Sequence, residues 1–204
     1  MIGMATVSRM TGVSAALAGL AWTAGCLVHS SLPPGCIGDT CAGGATMRGA
    51  TPASTALVGL AGLLLAASVV GLLLLARRVM PVGRAGAAAV VAGALGLSLF
   101  LAAGMVSTFG DSDWAGMPAL VLPAMALLVV GLALVAAVVW RARVLPRPLS
   151  VVVLVTVLLL PFANEQTSLV LLAVPFGLAW AGVGAWMLRG TNRVATHARG
   201  VAAA

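Results

Sequence analysis

The most informative feature of this chain is how little charge it carries. Only 7% of its 204 residues are charged, whereas about 25% is usual for a soluble domain. Hydrophobic residues make up 62% of the chain, and the mean hydropathy is +1.16. With only three cysteines as well, this composition excludes a soluble enzyme, a disordered tail and a secreted disulfide scaffold. What remains is an integral membrane protein.

Motifs for common cofactors are also missing. The sequence contains no HExxH, no phosphate-binding loop and no glycine-rich dinucleotide motif after a strand. Its two histidines, His29 and His197, fall on opposite sides of the expected membrane and so cannot share a haem or a metal. No charged residue occupies the middle of an apolar run, which argues against a proton-coupled pump. We therefore predict no catalytic residue, no cofactor and no metal site.

Long apolar stretches, in contrast, are abundant. The hydrocarbon core of a bilayer is about 30 Å thick and needs about 20 apolar residues of helix. Six such stretches with short connections predict an all-α polytopic bundle, in which residues 1–204 form a single transmembrane domain. The predicted spans are 10–28, 53–76, 85–108, 118–140, 149–163 and 168–188.

The placement of the eleven basic residues, all of them arginine, predicts the orientation. If the six spans alternate, ten arginines fall on one side, and only Arg48 falls on the other, together with all four acidic residues. Cytoplasmic loops carry an excess of Arg and Lys. We therefore expect a multi-pass plasma-membrane protein with both termini in the cytoplasm. The basic charge is then a topology signal rather than a nucleic-acid surface.

The first span has a second interpretation. Arg9 followed by a modest apolar run resembles a signal peptide, and Thr23–Cys26 resembles a lipoprotein cleavage box that would put a lipid on Cys26. Threonine stands where such boxes usually have leucine, and the apolar run continues through Val28. These two observations favour a retained span, and cleavage before Cys26 is the alternative.

Small residues recur at close helical spacing in the predicted spans, which lets membrane helices approach each other closely. Packing within the bundle and a homodimer face both fit this pattern. The expected partners are membrane lipid and a second copy of this chain or another membrane protein, with no nucleic acid. The rows include Ala15 and Gly19 in span one, Ala85, Ala89 and Gly93 beside Ala88, Ala92 and Gly96 in span three, and Gly177, Ala181 and Ala185 in span six.

Two cysteines lie in the longest external loop. Cys36 and Cys41 face the oxidising side in the predicted topology, so a disulfide that closes a small loop is the simplest interpretation. The alternative is a thiol–disulfide exchange pair, which needs a second pair as a relay. Only Cys26 remains for that relay, which leaves it incomplete.

A short fifth span creates a candidate binding site. Seventeen residues separate Arg147 from Glu165, and as a helix they cover about 25 Å, less than the hydrocarbon thickness. Either the bilayer thins or the polar turn dips inward to the base of an outward-facing depression. A solvated turn between two helices is the alternative. The candidate outer polar site comprises Asn164, Glu165, Gln166, Asp111 and Asp113, near Pro123, Pro161 and Pro175.

Two segments carry a family resemblance. Residues 141–147, with the letters RARVLPR, and residues 164–180, from Asn164 to Trp180, are similar to parts of small six-span integral membrane proteins of actinobacteria. The resemblance implies a bacterial plasma membrane and a six-span form. It implies no activity, cofactor or catalytic residue.

Three functional hypotheses follow from these patterns. The first is a structural, accessory or binding component of the plasma membrane, with no demonstrable enzymatic activity. The second is a transporter or channel for a small solute through an outward-facing cavity around Glu165. The third is a membrane thiol-redox or lipid-modifying enzyme. A water-filled path through the bundle favours the transporter, whereas a bundle packed closed at both ends counts against it.

Overall fold

The computed structural model describes residues 3–36, 46–111 and 114–202, with the backbone alone for 191–202. Every regular element in these ranges is helical. A 3-10 helix, Leu160–Phe162, follows the fifth α-helix, and another, Ser168–Ala173, precedes the sixth. The α-helices are α1 (Met4–Ser30), α2 (Pro52–Val79), α3 (Gly83–Phe109), α4 (Met117–Arg141), α5 (Arg147–Leu159) and α6 (Val174–Ala202).

Within the described ranges, five helical stretches are long and apolar enough to cross a membrane. They are α1, α2, α3, α4 and the stretch Ser168–Gly190, which includes the first part of α6. The apolar stretch Arg147–Phe162, which contains α5, is shorter. The predicted all-helical fold is therefore confirmed, with five helical stretches whose length and composition suit a membrane span. The sixth crossing and the orientation of the termini stay predictions.

The helix boundaries follow from local sequence chemistry. Thr51 and Ser54 form a capping box at the start of α2, in which each side chain accepts a hydrogen bond from the other's backbone N–H. Arginines stand in the last turns of α2 and α4, where they interact favourably with the negative end of the helix dipole. Proline occupies the first turn of four α-helices, where its missing N–H has no cost, at Pro52, Pro118, Pro148 and Pro175.

The prolines of the second half explain why α5 is short. Pro161 lies in the 3-10 helix directly after α5, since a proline cannot continue the hydrogen-bond ladder of an α-helix. Pro175 is the second residue of α6, where it is tolerated. Of the prolines considered for the outer site, only Pro123 lies beyond the first turn of an α-helix.

The helices pack around one apolar core. Helix α1 lies along both α2 and α6, α3 packs mainly against α4, and α5 joins α4 to α6. The core includes Trp22 of α1, Leu65 of α2, Leu128 of α4, Val153 of α5 and Trp180 of α6. Helix α3 is the most peripheral of the long helices, because only 17% of its apolar window is buried inside the protein.

Small residues bring two pairs of helices into backbone contact. Helices α1 and α6 meet at Gly19, Gly177 and Gly184, where an added Cβ would strike backbone atoms of the other helix. Helices α3 and α4 meet in the same way at Gly96 and Gly131. Gly19, Gly96 and Gly177 of the predicted rows therefore pack within the bundle, whereas Ala85 and Ala88 of the span-three rows are exposed. In span six the row differs from the prediction, because Ala185 is exposed and Gly184 makes the contact.

The bundle has two distinct ends. At one end a second apolar cluster of Leu73, Ala76, Val138 and Ala142 joins α2 to α4, and the start of α1 meets the later part of α6, where Gly12 faces Leu188. We call this end of the bundle the arginine end. It includes the connections 80–82 and 142–146. The opposite end comprises connections 31–51, 110–116 and 160–173.

Candidate functional site

The polar turn between α5 and α6 is bound to the long connection between α1 and α2. The side-chain Oε1 of Gln166 accepts from the backbone N–H of Arg48, and its Nε2 donates to the carbonyl oxygen of Arg48 at 3.3 Å. The carbonyl oxygen of Gln166 accepts from the N–H of Gly35 at 2.9 Å. Gln166 therefore joins two parts of the connection through backbone groups.

Arg48 has a buried guanidinium bound to backbone carbonyls. The residue is only 7% exposed. Its Nε donates to the carbonyl oxygen of Pro33 at 2.7 Å, and its Nη1 donates to those of Glu165 at 3.1 Å and His29 at 3.4 Å. The carbonyl of His29 belongs to the last turn of α1, at the negative end of that helix dipole. Arg48 is the single arginine that the predicted topology puts on the same side as the acidic residues. Its bonds to backbone carbonyls give it a structural role there.

His29 binds the same turn from α1. It is 7% exposed, and its Nε2 lies 3.1 Å from the carbonyl oxygen of Glu165, which makes Nε2 the protonated nitrogen. The carbonyl of Glu165 thus accepts from both His29 and Arg48. We call this hydrogen-bonded junction of His29, Arg48, Gln166 and the Glu165 backbone the clasp.

The residues around the clasp have conformations that suit it. Asn164 accepts from the N–H of Gln166 at 2.8 Å, an Asx turn that folds the chain back. Thr167 caps the following 3-10 helix by accepting from the N–H of Leu169. Gly35 has to be glycine, because an added Cβ would lie 2.1 Å from Oε1 of Gln166 and 2.3 Å from the N of Arg48.

Only part of the predicted polar site comes together. Asn164, Glu165 and Gln166 share the turn, whereas Asp111 lies exposed after α3. That end of α3 is bonded to the start of α2, through Ser107 to the N–H of Ala50 at 3.0 Å and through Thr108 to Thr55. Asp113 lies outside the described residues. The site therefore centres on the clasp, and its amide and backbone groups do most of the bonding.

Glu165 contributes its backbone to the clasp and leaves its carboxyl group at the periphery. The residue is exposed by surface area. Partial burial of the carboxyl group still raises its pKa, and the nearby positive charge of Arg48 opposes that rise. Because the residue is open to solvent, screening limits the effect of this charge on stability.

The cysteines occupy different environments. Cys36 is buried and disulfide-bonded, and its N–H donates to the carbonyl oxygen of Thr46 at 3.2 Å, next to the clasp. Cys26 is a free thiol buried in the apolar core. Cys41 lies outside the described residues. The bond at Cys36 restrains the loop that carries Gly35, and the burial of Cys26 leaves that thiol poorly placed as an exchange relay.

The interior beneath the clasp is closely packed. Trp22 packs against Phe176 and Phe100, and Trp180 donates from Nε1 to Ser68 at 2.9 Å. A cavity with a volume of about 10 Å³ lies among Leu72, Val135, Val153 and their neighbours. That volume holds about one water molecule.

The function of this site has to be argued from its geometry. In the described part of the chain, no group of three or more His, Cys, Asp or Glu residues is placed to hold a metal ion. The chain matches no protein-family model, no curated protein and no solved structure. What the clasp does chemically follows from its geometry: it satisfies backbone carbonyls and ties the turn 164–166 to the end of α1 and to the connection that follows α1.

Two residues of the clasp, His29 and Arg48, were absent from the sequence-based site. Arg48 did carry a signal, since it is the single basic residue among the predicted external loops. His29 carried a weaker one, as a polar residue at the end of an apolar run. Their acceptors are backbone carbonyls, which every residue has, so the sequence pattern could not identify them.

The Glu165→Gln variant tests whether the carboxyl group matters to the clasp. The clasp uses only the backbone carbonyl of Glu165, so we expect the stability of the variant at neutral pH to lie within about 0.5 kcal/mol of wild type. A raised pKa gives stability that is present below the ordinary pKa and lost as pH rises through the raised value. The variant should lose this pH dependence in thermal unfolding measured in detergent. A large loss at neutral pH would contradict this assignment.

Proposed function

We propose that this chain is a six-span bacterial plasma-membrane protein, of the kind found in actinobacteria, with both termini in the cytoplasm. In this proposal it acts as a structural, accessory or binding component and presents its surface to partners. The apolar helices support a membrane location. The positions of the arginines and acidic residues support the orientation.

The path of α5 supports the sixth crossing. Its first residue, Arg147, follows the connection 142–146 of the arginine end, and the turn after it joins the clasp at the opposite end. A short apolar helix can cross where the bilayer thins or where its end is covered by protein. The clasp provides such a cover, because it hydrogen-bonds the irregular backbone that would otherwise lie unsatisfied near the apolar core.

The close packing of the interior is the observation that carries the functional proposal. The cavity beside Leu72 and Val135 has room for about one water molecule, and the clasp joins three segments at the opposite end. A solute pathway needs a continuous polar or water-filled route. A closely packed bundle of this kind suits a protein that binds its partners through its outer surface.

Tracer flux through proteoliposomes tests this proposal. We expect vesicles that contain the purified chain to take up small solutes and ions at the same rate as protein-free vesicles. Vesicles that contain a known channel provide the positive control. Saturable, protein-dependent uptake would overturn the proposal and favour the transporter hypothesis.

Reporter fusions test the orientation and the number of crossings. A fluorescent protein fused to either terminus should fold and fluoresce in a bacterial host, because it folds in the cytoplasm. Alkaline phosphatase inserted in connection 110–116 should be active, because it folds on the outside. An active phosphatase fused after Arg199 would contradict an even number of spans with cytoplasmic termini.

A further inference from the structure

The arginine end presents a group of exposed positive side chains. Eight arginines at this end are exposed. By sequence position, the four acidic residues fall between α1 and α2, between α3 and α4, and between α5 and α6, and none falls in the connections of the arginine end. This distribution of charge suits an anionic partner at the arginine end. The eight are Arg9, Arg77, Arg78, Arg84, Arg141, Arg143, Arg147 and Arg189.

Four of these arginines are close in sequence to residues of the second apolar cluster. Ala76 of α2 and Ala142 after α4 are both buried in that cluster. Arg77 and Arg78 follow the first, and Arg141 and Arg143 flank the second. Apolar side chains of both turns, including Met80 and Val144, pack against this cluster, so the two arginine pairs flank the same cluster. We call these four residues the arginine junction.

The backbone of the junction is unusual at Arg143. This residue has a φ of 52°, a left-handed conformation that suits glycine and is unfavourable for other residues. It ends α4 as glycine commonly does, with its own N–H bonded to Trp140 and the N–H of Val144 bonded to Val139. The chain therefore has an arginine at a position where the backbone conformation favours glycine.

Apolar side chains are exposed beside the junction. Val79, next to Arg78, is 70% exposed, and Trp140, next to Arg141, is 39% exposed. Tryptophan is typical of the membrane–water interface, where its ring lies among headgroups and upper acyl chains. The surface thus combines guanidinium groups with apolar contacts, which suits a ligand that has phosphate and hydrocarbon in one molecule.

We propose that the arginine junction binds an anionic phospholipid whose headgroup carries two phosphodiester groups, as in cardiolipin-type lipids. Each pair of arginines faces one phosphate, since a guanidinium binds phosphate oxygens with two parallel hydrogen bonds. The acyl chains lie against Val79 and Trp140. The inference goes beyond the proposed function and shares with it only the membrane location.

Lipid titration of the purified full-length chain in a neutral detergent tests this site. Native mass spectrometry measures the binding of a two-phosphate lipid, phosphatidylglycerol, phosphatidylcholine and soluble pyrophosphate. The junction variant carries R77Q, R78Q, R141Q and R143Q. A charge-conserving variant carries lysine at the same four positions. The matched control carries R9Q, R84Q, R147Q and R189Q, which removes the same charge from the same end.

We expect the two-phosphate lipid to bind more tightly than the other three ligands. The junction variant should lose about tenfold or more of that affinity, while the matched control stays within about threefold of wild type. The lysine variant should fall between them, because lysine keeps the charge but lacks the planar fork. The lysine variant keeps the charge at the same four positions, so it also tests the site if the glutamine variant misfolds.

Three results would overturn the site. Equal losses in the junction variant and the matched control would mean diffuse attraction to the whole arginine end. Equal binding of phosphatidylcholine would mean apolar contact alone. Pyrophosphate binding as tight as that of the lipid would make a soluble phosphate the ligand. Binding in detergent does not depend on orientation, so a failed topology test leaves this measurement intact, and the reverse also holds.

Discussion

Replacing Arg48 with alanine is expected to lower the free energy of unfolding by about 3 kcal/mol. The guanidinium is buried and donates to the carbonyl oxygens of Pro33, Glu165 and His29. The variant removes the side-chain donor to the Pro33 carbonyl and one of the two donors to each of the Glu165 and His29 carbonyls. Hydrogen bonds made by a charged group contribute about 1.5–3 kcal/mol each, and a buried acceptor left without a partner costs about 1–3 kcal/mol. The loss should appear as a lower midpoint in unfolding by SDS in mixed micelles.

Matched variants separate the clasp from a general effect of charge. Arg78 is exposed, so R78A should change stability by no more than about 0.5 kcal/mol. Arg48→Lys should fall between R48A and wild type, because a compact ammonium cannot span the same acceptors as a planar guanidinium. If R48A were as stable as R78A, Arg48 would not hold the two connections together.

The behaviour of Arg48 illustrates what the sequence could and could not predict. Apolar runs and arginine positions predicted a helical membrane bundle, because lipid imposes strong constraints on composition along the whole chain. The clasp depends instead on a coil of irregular backbone that returns to a turn more than a hundred residues away. Contacts of side chains with distant backbone carbonyls leave no periodic pattern, so neither Arg48 nor His29 could be assigned a partner.

The boundaries of the helices show a similar limit. The predicted first span begins at Met10, whereas α1 begins at Met4, because polar residues at a helix end do not interrupt hydrogen bonding. The predicted fifth span, 149–163, divides into α5 and a 3-10 helix that contains Pro161. Hydropathy identifies the apolar segment that can lie in lipid. The helix itself ends where its backbone hydrogen bonding ends.

Helix packing lay between these two cases. Small residues at close spacing identified helices that approach closely, but periodicity alone left the contacting face open. Ala185 continued the predicted row of Gly177 and Ala181, yet it is exposed. Gly184 makes the contact with α1 instead. A helix has 3.6 residues per turn, so residues spaced strictly four apart drift around its surface. The third contact therefore falls one residue earlier than the row predicts.

The crossing of α1 and α6 gives the second large prediction. In Gly19→Ala, the new Cβ would lie 2.3 Å from the carbonyl oxygen of Gly177 and 2.4 Å from the N of Ala181. Both are backbone atoms, so the two helices have to separate. We expect a loss of about 2–3 kcal/mol in the free energy of unfolding, the upper part of the range for overpacking. Unfolding by SDS measures it.

Gly93→Ala is the matched control, because this glycine also lies within a long apolar helix. A Cβ at Gly93 would meet nothing within 4 Å, so the change should stabilise α3 by about 0.5 kcal/mol through helix propensity. Opposite signs for these two variants would tie the cost to the crossing rather than to loss of glycine itself. Equal stability of Gly19→Ala and wild type would mean that α1 and α6 pack less closely, and that another contact holds α1 in the bundle.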